Sequence, residues 1–129
     1  MLDGFTLEPI IDYLETQGIG LKGKDLFRES MPSTVSRGLL LLAMDPVQID
    51  SYLGGMRRGT FQIVARSITH DDARSLAYNA MQAIDEAGLV LNGMKFLSLW
   101  PVNEPLLFPQ SEGDLIEASV YYNFVYAPV

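Results

Sequence analysis

The sequence lacks cysteine altogether and has a single histidine among its 129 residues. Without cysteine it has neither a disulfide framework nor a thiolate metal site, and it is compatible with synthesis in a reducing cytoplasm. The metal and hydrolase motifs HExxH and GxSxG and the EF-hand loop are absent as well. These absences exclude the commonest sequence signatures of metal sites and catalytic nucleophiles.

Basic residues and long apolar runs are also scarce. Nine lysines and arginines stand against sixteen acidic residues, so the formal net charge is −7. Because phosphate contacts need a basic surface, we expect no specific nucleic-acid binding. The longest apolar run, residues 39–44, is far too short to cross a bilayer, and no charged-then-apolar leader opens the chain. We therefore expect no membrane association.

The clearest local pattern lies in residues 59–88. Its first part alternates between two faces, as in a β-strand. From Ala73 onward, small and apolar residues follow the spacing of one helical face. Thr69 is placed to cap this helix and Gly88 to end it. The pattern predicts a strand followed by a helix whose small-residue face lies close to a sheet.

Three more regular elements are indicated in the first third of the chain. The opening residues predict an amphipathic helix, with an apolar stripe from Leu7 to Leu14. Residues 25–29 predict a short strand. Residues 38–44 form a continuous apolar run, which is typical of a strand buried on both faces.

The last third of the chain predicts further strands. Asn92-Gly93 lies between two apolar segments and is the strongest short-range signal for a tight hairpin. Residues 115–127 alternate over a long distance and predict a final strand. Together these patterns predict one α+β domain: a mostly antiparallel sheet of about four to five strands with two helices packed on one face.

Residues 18–25 formally contain the phosphate-loop pattern GxxxxGK. A phosphate loop needs Ser or Thr after the lysine to hold magnesium, and Asp25 stands there instead. The segment also follows a predicted helix, whereas a phosphate loop follows a strand. We interpret it as a glycine-rich linker and expect no cofactor.

No catalytic constellation is indicated either. His70 lies at the predicted start of the second helix, with Ser67 and Asp71 near it in sequence. A triad needs a nucleophile, a base and an orienting carboxylate that the fold brings together. A histidine beside a helix cap is more commonly a surface residue, so we expect no catalytic residue, no metal site and no enzymatic activity.

Two segments carry residue types that are enriched at protein interfaces. The first is the irregular loop of residues 45–58, for which packing on its own domain is an equal alternative. The second is one face of the final strand, with the proline-rich residues 101–114 before it. Neither face of that strand is clearly polar, so either it is an inner strand or its second face meets another chain. The candidate interface residues are Asp50, Tyr52, Leu53, Met56, Arg57, Arg58, Tyr121, Asn123 and Val125.

Four sequence runs, taken in their order, carry a resemblance to a known family. They are LFRESMP from Leu26, the apolar run GLLLLAMDP, IDSYLGGMRRGTFQIVAR from Ile49, and YYNFVYAP near the end. The third run contains the pattern residues Ile49, Asp50, Leu53, Gly54 or Gly55, Phe61, Gln62 and Arg66. Over nearly its whole length the chain resembles the tail terminator proteins of long-tailed bacteriophages, also known as minor tail or minor capsid proteins. Residues 54–58 depart from the family, where an aromatic residue and a lysine are expected.

The resemblance implies a structural virion protein, made in the bacterial host cytoplasm and located in the neck or tail of the particle. Such proteins form a ring, usually hexameric, that caps the finished tail tube, stops its polymerisation and offers a surface to the head. The implied partners are further copies of the chain, the tail tube protein and a head–tail connector or head-completion protein. DNA would pass through the ring.

Three other functions stay open on the sequence. A head-completion or connector ring of the phage neck is barely separable from a terminator. A dimeric adaptor would pair its long final strand with that of a second copy. A small enzyme or ligand-binding domain would need polar groups that converge around His70, Arg66 or Tyr122.

Overall fold

The computed structural model describes residues 6–44, 46–50, 55–84, 90–91, 93–109 and 115–128. Within these ranges the chain forms two helices and eight strands. In chain order they are α1 (Glu8–Thr16), β1 (Leu26–Arg28), β2 (Gly38–Ala43), β3 (Gln48–Ile49), β4 (Arg57–Ser67), α2 (His70–Ile84), β5 (Val90–Leu91), β6 (Met94–Pro101), β7 (Leu106–Pro109) and β8 (Ile116–Pro128).

All these strands belong to one sheet, whose main order is β1-β2-β4-β8-β6-β5. β3 pairs with the start of β4, which β2 does not reach. β7 pairs in the same way with the start of β8, which β6 does not reach. β1 and β2 run parallel, and the other pairs are antiparallel. β4 pairs with β8 over its full eleven residues. These two long strands form the middle of the sheet and position the other six.

The predicted mostly antiparallel sheet of about four to five strands is wrong, because the sheet is mixed, curled and eight-stranded. Two of the additional strands, β3 and β7, lie in segments predicted to be irregular. Both are short edge strands held by pairing with a long neighbour. Proline is tolerated at such an edge because its missing N–H leaves no ladder bond broken. The connection of residues 29–37 returns the chain to the same end of the sheet, which makes β1 and β2 parallel.

The register of β4 against β8 decides which side chains share a face. Phe61 lies opposite Tyr122 and Ile63 opposite Val120, and all four are fully buried. The rings of Phe61 and Tyr122 stack with their centroids 5.1 Å apart. Because side chains alternate along a strand, these residues define an inner face that carries the core. The residues between them define an outer face.

Helix α2 packs on the inner face through small residues. Ala77 and its alanine neighbours one turn away are fully buried, which lets the helix axis approach the sheet closely. The predicted cap is confirmed, since Thr69 Oγ1 accepts a hydrogen bond from the Asp72 N–H at 3.1 Å. The predicted helix end at Gly88 lies outside the described residues.

Helix α1 closes the open side of the curled sheet. It contacts α2 and also β1 and β5, which stand at opposite ends of the strand order. Ile10, Ile11 and Leu14 are buried in this contact, as the apolar stripe predicts. The sheet therefore wraps around a single core and leaves its outer face for other contacts. Neither described helix is long and apolar enough to cross a membrane.

Candidate subunit interface

The outer face of the sheet is closed at one end. There, Met31 and Val35 from the β1–β2 connection pack against Leu40 of β2 and Val64 of β4. This small second cluster is apolar and buried. The connection therefore covers the outer face of β2 and β4 at this end.

Arg66 holds this cover in place. Its Nη1 donates hydrogen bonds to the carbonyl oxygens of Pro32 and Val35 at 3.0 and 3.2 Å. Its Nε donates to Glu117 Oε2 at 3.1 Å, and both side chains of this ion pair are about nine-tenths buried. A buried charge needs such a partner because its desolvation is costly. Arg66 is thereby a structural residue.

The other part of the outer face is open and apolar. Five large side chains are exposed there, and we call them the apolar strip: Trp100, Val102, Leu106, Phe108 and Tyr121. Trp100 lies opposite Asn123, Leu106 opposite Ser119 and Phe108 opposite Glu117, which places these three side chains on the outer face. Leu106 alone is 64% exposed. Contiguous apolar surface of this kind marks interaction sites in soluble proteins.

The apolar strip is held rigidly by the turn between β6 and β7. Asn103 Oδ1 accepts a hydrogen bond from the Tyr121 N–H at 2.9 Å, and its Nδ2 donates to the Ser119 carbonyl at 3.2 Å. The Val102 N–H donates to the Tyr121 carbonyl at 2.7 Å. Hydrogen bonds from both Val102 and Asn103 therefore fix the turn to β8. A surface ordered in advance loses little entropy when it binds.

Of the residues predicted in the 45–58 loop, Asp50 and Arg58 lie near each other, with Arg58 Nη2 3.8 Å from Asp50 Oδ2. The Asp50 N–H donates to the Met56 carbonyl at 2.9 Å, and Met56 is half-buried. Arg58 is exposed. Tyr52 and Leu53 lie outside the described residues.

Arg57 is placed differently from its neighbour. It lies opposite Tyr126, whose side chain belongs to the core, and it is 5% exposed. Its Nη1 donates to the Gly55 carbonyl. Burial raises the pKa of the Tyr126 hydroxyl, and the nearby Arg57 charge opposes that rise. Arg57 therefore packs on its own domain and is not a surface group of the isolated chain.

The three residues predicted on the final strand share the outer face. Tyr121 is exposed, and Asn123 and Val125 are half-buried. Val125 lies directly opposite Arg58 in the β4–β8 ladder. Arg58 of the first candidate segment and Val125 of the second therefore lie side by side on the outer face.

A pocket lies between these two segments at the open end of the outer face. Its volume is about 350 Å³. We call it the β4–β8 pocket, and it is lined by Pro46, Gln48, Arg58, Gly59, Thr60, Trp100, Asn123, Phe124 and Val125. Thr60 Oγ1 is buried there and has no hydrogen-bond partner among the described residues. Apolar walls with a few polar groups are typical of binding pockets.

Trp100, Val102, Leu106 and Phe108 were not among the predicted site residues. Residues 101–114 were a candidate only as a segment, because three prolines obscure the strand pattern. The signal was nevertheless present, since apolar residues stand two apart at positions 100 and 102 and again at 106 and 108. A period of two marks one face of a strand.

The groups that a small enzyme or ligand site would need are not brought together. His70 is exposed at the start of α2, Arg66 is engaged on the outer face, and Tyr122 lies on the inner face. In the part of the chain that the structure describes, no three His, Asp or Glu side chains are grouped so that they could hold a metal ion.

Near His70, the start of α2 carries an ordered ion pair. Arg37 Nε donates to Asp72 Oδ2 at 2.8 Å, and the Ser67 hydroxyl donates to the same carboxylate. The Arg37 and Ser67 hydrogen bonds hold the pKa of the Asp72 carboxyl below its ordinary value. These bonds fix the corner between β4 and α2.

Comparison with known proteins identifies the family of the chain. A sequence model of the family described as bacteriophage tail terminator protein matches residues 13–128. Among solved structures, the chain is similar to one from the virion of a native gene transfer agent particle, with a TM-score of 0.63. The two share 15% sequence identity over 81% of this chain and 80% of that one, a level at which the likeness concerns the fold. No curated protein matches the chain in sequence.

Proposed function

The chain belongs to the bacteriophage tail terminator family, and on that premise we propose that it forms a closed hexameric ring at the head-proximal end of the tail tube. Membership makes it a structural protein of the phage virion. In the proposed role, the ring ends polymerisation of the tube and presents the surface that joins the head. The family match over residues 13–128 is the observation that carries this proposal.

The apolar strip supports assembly with further copies. The core of the domain is complete without it, since the inner-face residues and both helices bury one another. Exposed apolar side chains that lie close together mark interaction sites in soluble proteins. We assign it to the contact between neighbouring subunits.

The ring has two axial faces, and each would take a different partner. One would contact the tail tube protein and the other the head–tail connector or head-completion protein. The net charge of −7 suits a ring through which DNA passes, because like charges suppress adhesion to the phosphate backbone. No specific contact with the bases is proposed.

Tail length tests the proposed role. In particles produced without this chain, tube polymerisation should lack a stop signal, so negative-stain electron microscopy should show tails of variable and excessive length beside tailless heads. Supplying the chain in trans should restore a single tail length.

Three outcomes would contradict the proposal. Tails of normal length that fail to join heads would identify a connector ring instead. A two-fold dimer in solution and in particles would identify an adaptor. Normal, joined tails in the absence of the chain would exclude any role in finishing the tail.

A further inference from the structure

The charged group of the β4–β8 pocket is the guanidinium of Arg58. Its side chain is 56% exposed, and its Nη2 lies 3.8 Å from Asp50 Oδ2, which is longer than a hydrogen bond. The Arg58 side chain forms no hydrogen bond with any residue that the structure describes. A guanidinium presents its N–H donors in a planar fork that suits a carboxylate. In the single chain these donors remain available to a ligand.

Two other arginines show the contrast. Arg66 donates to Glu117 and to two carbonyl oxygens of the β1–β2 connection, and Arg37 donates to Asp72 at 2.8 Å. Both are thereby engaged in holding the fold. Arg58 is not engaged in this way, since an exposed pair of charges at such a distance contributes little to stability.

Asn123 supplies a second polar group to the pocket. It is half-buried, and its side-chain amide forms no hydrogen bond within the described ranges. Arg58 lies directly opposite Val125, so Asn123 is its diagonal neighbour on the same face of the sheet. Diagonal neighbours are about 7–8 Å apart, within reach of a long side chain. One carboxylate is therefore placed to accept hydrogen bonds from both Arg58 and Asn123.

The walls of the pocket are mainly apolar. Pro46, Trp100 and Val125 contribute to them, and no Asp or Glu is found among the described residues of the lining. The volume of about 350 Å³ is in the range of binding pockets. This lining matches a carboxylate that is carried beside an apolar group. A DNA phosphate, which is flanked by sugars and further phosphates, would leave the apolar walls uncovered.

Trp100 connects the pocket with the apolar strip, because it is a wall of the one and a member of the other. A body that covers the strip therefore also lies over the pocket. Under the proposed function that body is the next copy of the chain. Each copy has sixteen acidic residues against nine basic ones, so its surface offers carboxylates in excess.

We infer that the β4–β8 pocket binds a carboxylate side chain of the next copy in the ring, with Arg58 and Asn123 as the hydrogen-bond donors and Trp100 against the apolar part of the same segment. This inference rests on the proposed ring and names the chemistry of its subunit contact. Hydrogen bonds between charged groups are stronger than those between neutral ones, so Arg58 is the residue on which affinity depends most.

Carbodiimide coupling of the variant Arg58→Lys tests the inference in assembled rings. The reagent joins an amine to a carboxylate in direct contact with it, whereas a guanidinium does not react, so the parent is the control at this position. Rings should be assembled from an equal mixture of ¹⁵N-labelled and unlabelled chains. Mass spectrometry should then find peptides containing position 58 joined to an acidic residue, with one label state on each side, which marks a link between copies.

The other outcomes separate this inference from the proposed function. Rings in which position 58 is joined only to its own chain, for example to Asp50, or is not joined at all, would overturn the inference and leave the ring intact. In whole particles, a link from position 58 to a different virion protein would also overturn it. The absence of any ring, both from the purified chain and at the tail end, would overturn both.

A pair of substitutions gives an independent measurement of assembly. Arg58→Gln should weaken ring assembly about tenfold or more without changing the urea midpoint, because the side chain is exposed in the single chain. Arg74→Gln removes the same charge from an exposed position on α2 and is the matched control, so it should assemble normally. Equal assembly of the two variants would contradict the inference.

The isolated chain allows the pocket to be probed directly, because Trp100 is the single tryptophan and reports on it by fluorescence. Saturable quenching or a shift of the emission is expected with 3-phenylpropionate, which carries a carboxylate beside an apolar ring. The uncharged 3-phenylpropanamide should bind at least about tenfold more weakly, and Arg58→Gln should abolish this preference. Equal responses to the two probes, including no response to either, would contradict a carboxylate site.

Discussion

Replacing Leu106 by threonine isolates the contribution of the apolar strip to assembly. Complete burial of a leucine side chain contributes about 1.5–3 kcal/mol. Leu106 is 64% exposed, so covering it in an interface would contribute about 1–2 kcal/mol. Threonine keeps the β-propensity of the strand and one methyl group, so the expected loss is about 1–1.5 kcal/mol for each contact, or about 5–12-fold in affinity.

The assay compares assembly and stability of the same preparations. Mass photometry over a concentration series should show the midpoint of assembly shifted by that factor for Leu106→Thr. Urea unfolding should differ from the parent by less than about 0.5 kcal/mol, as for other exposed sites. Leu21→Thr, at a leucine that is 55% exposed elsewhere, should change neither. Identical assembly of Leu106→Thr and Leu21→Thr would refute the assignment of the strip to the subunit contact.

Three further predictions concern the fold that carries this surface. Arg66→Met should lower the free energy of unfolding, measured in urea, by about 3–5 kcal/mol, because it leaves Glu117 buried without its cation. The double variant Arg66→Met/Glu117→Leu should recover most of this loss. A double variant as unstable as Arg66→Met alone would exclude the ion pair as the cause. The lowered pKa of Asp72 means that its pair with Arg37 stabilises the protein above the ordinary carboxyl pKa, near 3.8, and loses that contribution as pH falls through the lower folded value. At neutral pH the parent should therefore be more stable to unfolding than Asp72→Asn, by less than about 1 kcal/mol because the pair is exposed. This difference in the free energy of unfolding should disappear in acid. A difference that grows in acid would contradict the predicted direction of the pH dependence. Gly59→Ala should destabilise by about 1–3 kcal/mol, because the added Cβ would lie 2.5 Å from an aromatic carbon of β8; an unchanged melting temperature would mean that the ring moves aside freely.

The elements with strong local signals were predictable from the sequence. The capping hydroxyl of Thr69 and the alanine-rich face of α2 depend on residues close in the chain, and both are observed. The predicted pairing of the two hairpin arms is confirmed as well, since Val90–Leu91 pairs with the start of β6 and Gly93 has a φ of 80°, while Asn92 lies outside the described residues. Turn and cap chemistry is local, so it needs no knowledge of the rest of the fold.

The strand count was not predictable in the same way. β3 and β7 have two and four residues, too few for a periodic pattern. They exist because β4 and β8 are long enough to offer each of them an unpaired stretch of edge. An unpaired edge exists only in the assembled sheet, so no local sequence pattern could predict β3 or β7.

The sequence indicated candidate segments, but it could not give the side-chain directions within them. Arg57 and Arg58 are adjacent and chemically alike, yet one is buried beside Tyr126 and the other is exposed opposite Val125. The register of the strand pairing alone decides which of the two side chains is buried, because a shift of one residue exchanges the two faces of a strand. The placement of Arg58 beside Val125 likewise follows from the β4–β8 pairing.

Cryo-electron microscopy of the junction between head and tail tests the central claim most directly. The account predicts a closed ring of this chain at the head-proximal end of the tail tube, with Leu106 and Trp100 of every copy covered by the next. The chain located elsewhere in the particle, or a ring in which these side chains face solvent, would contradict it.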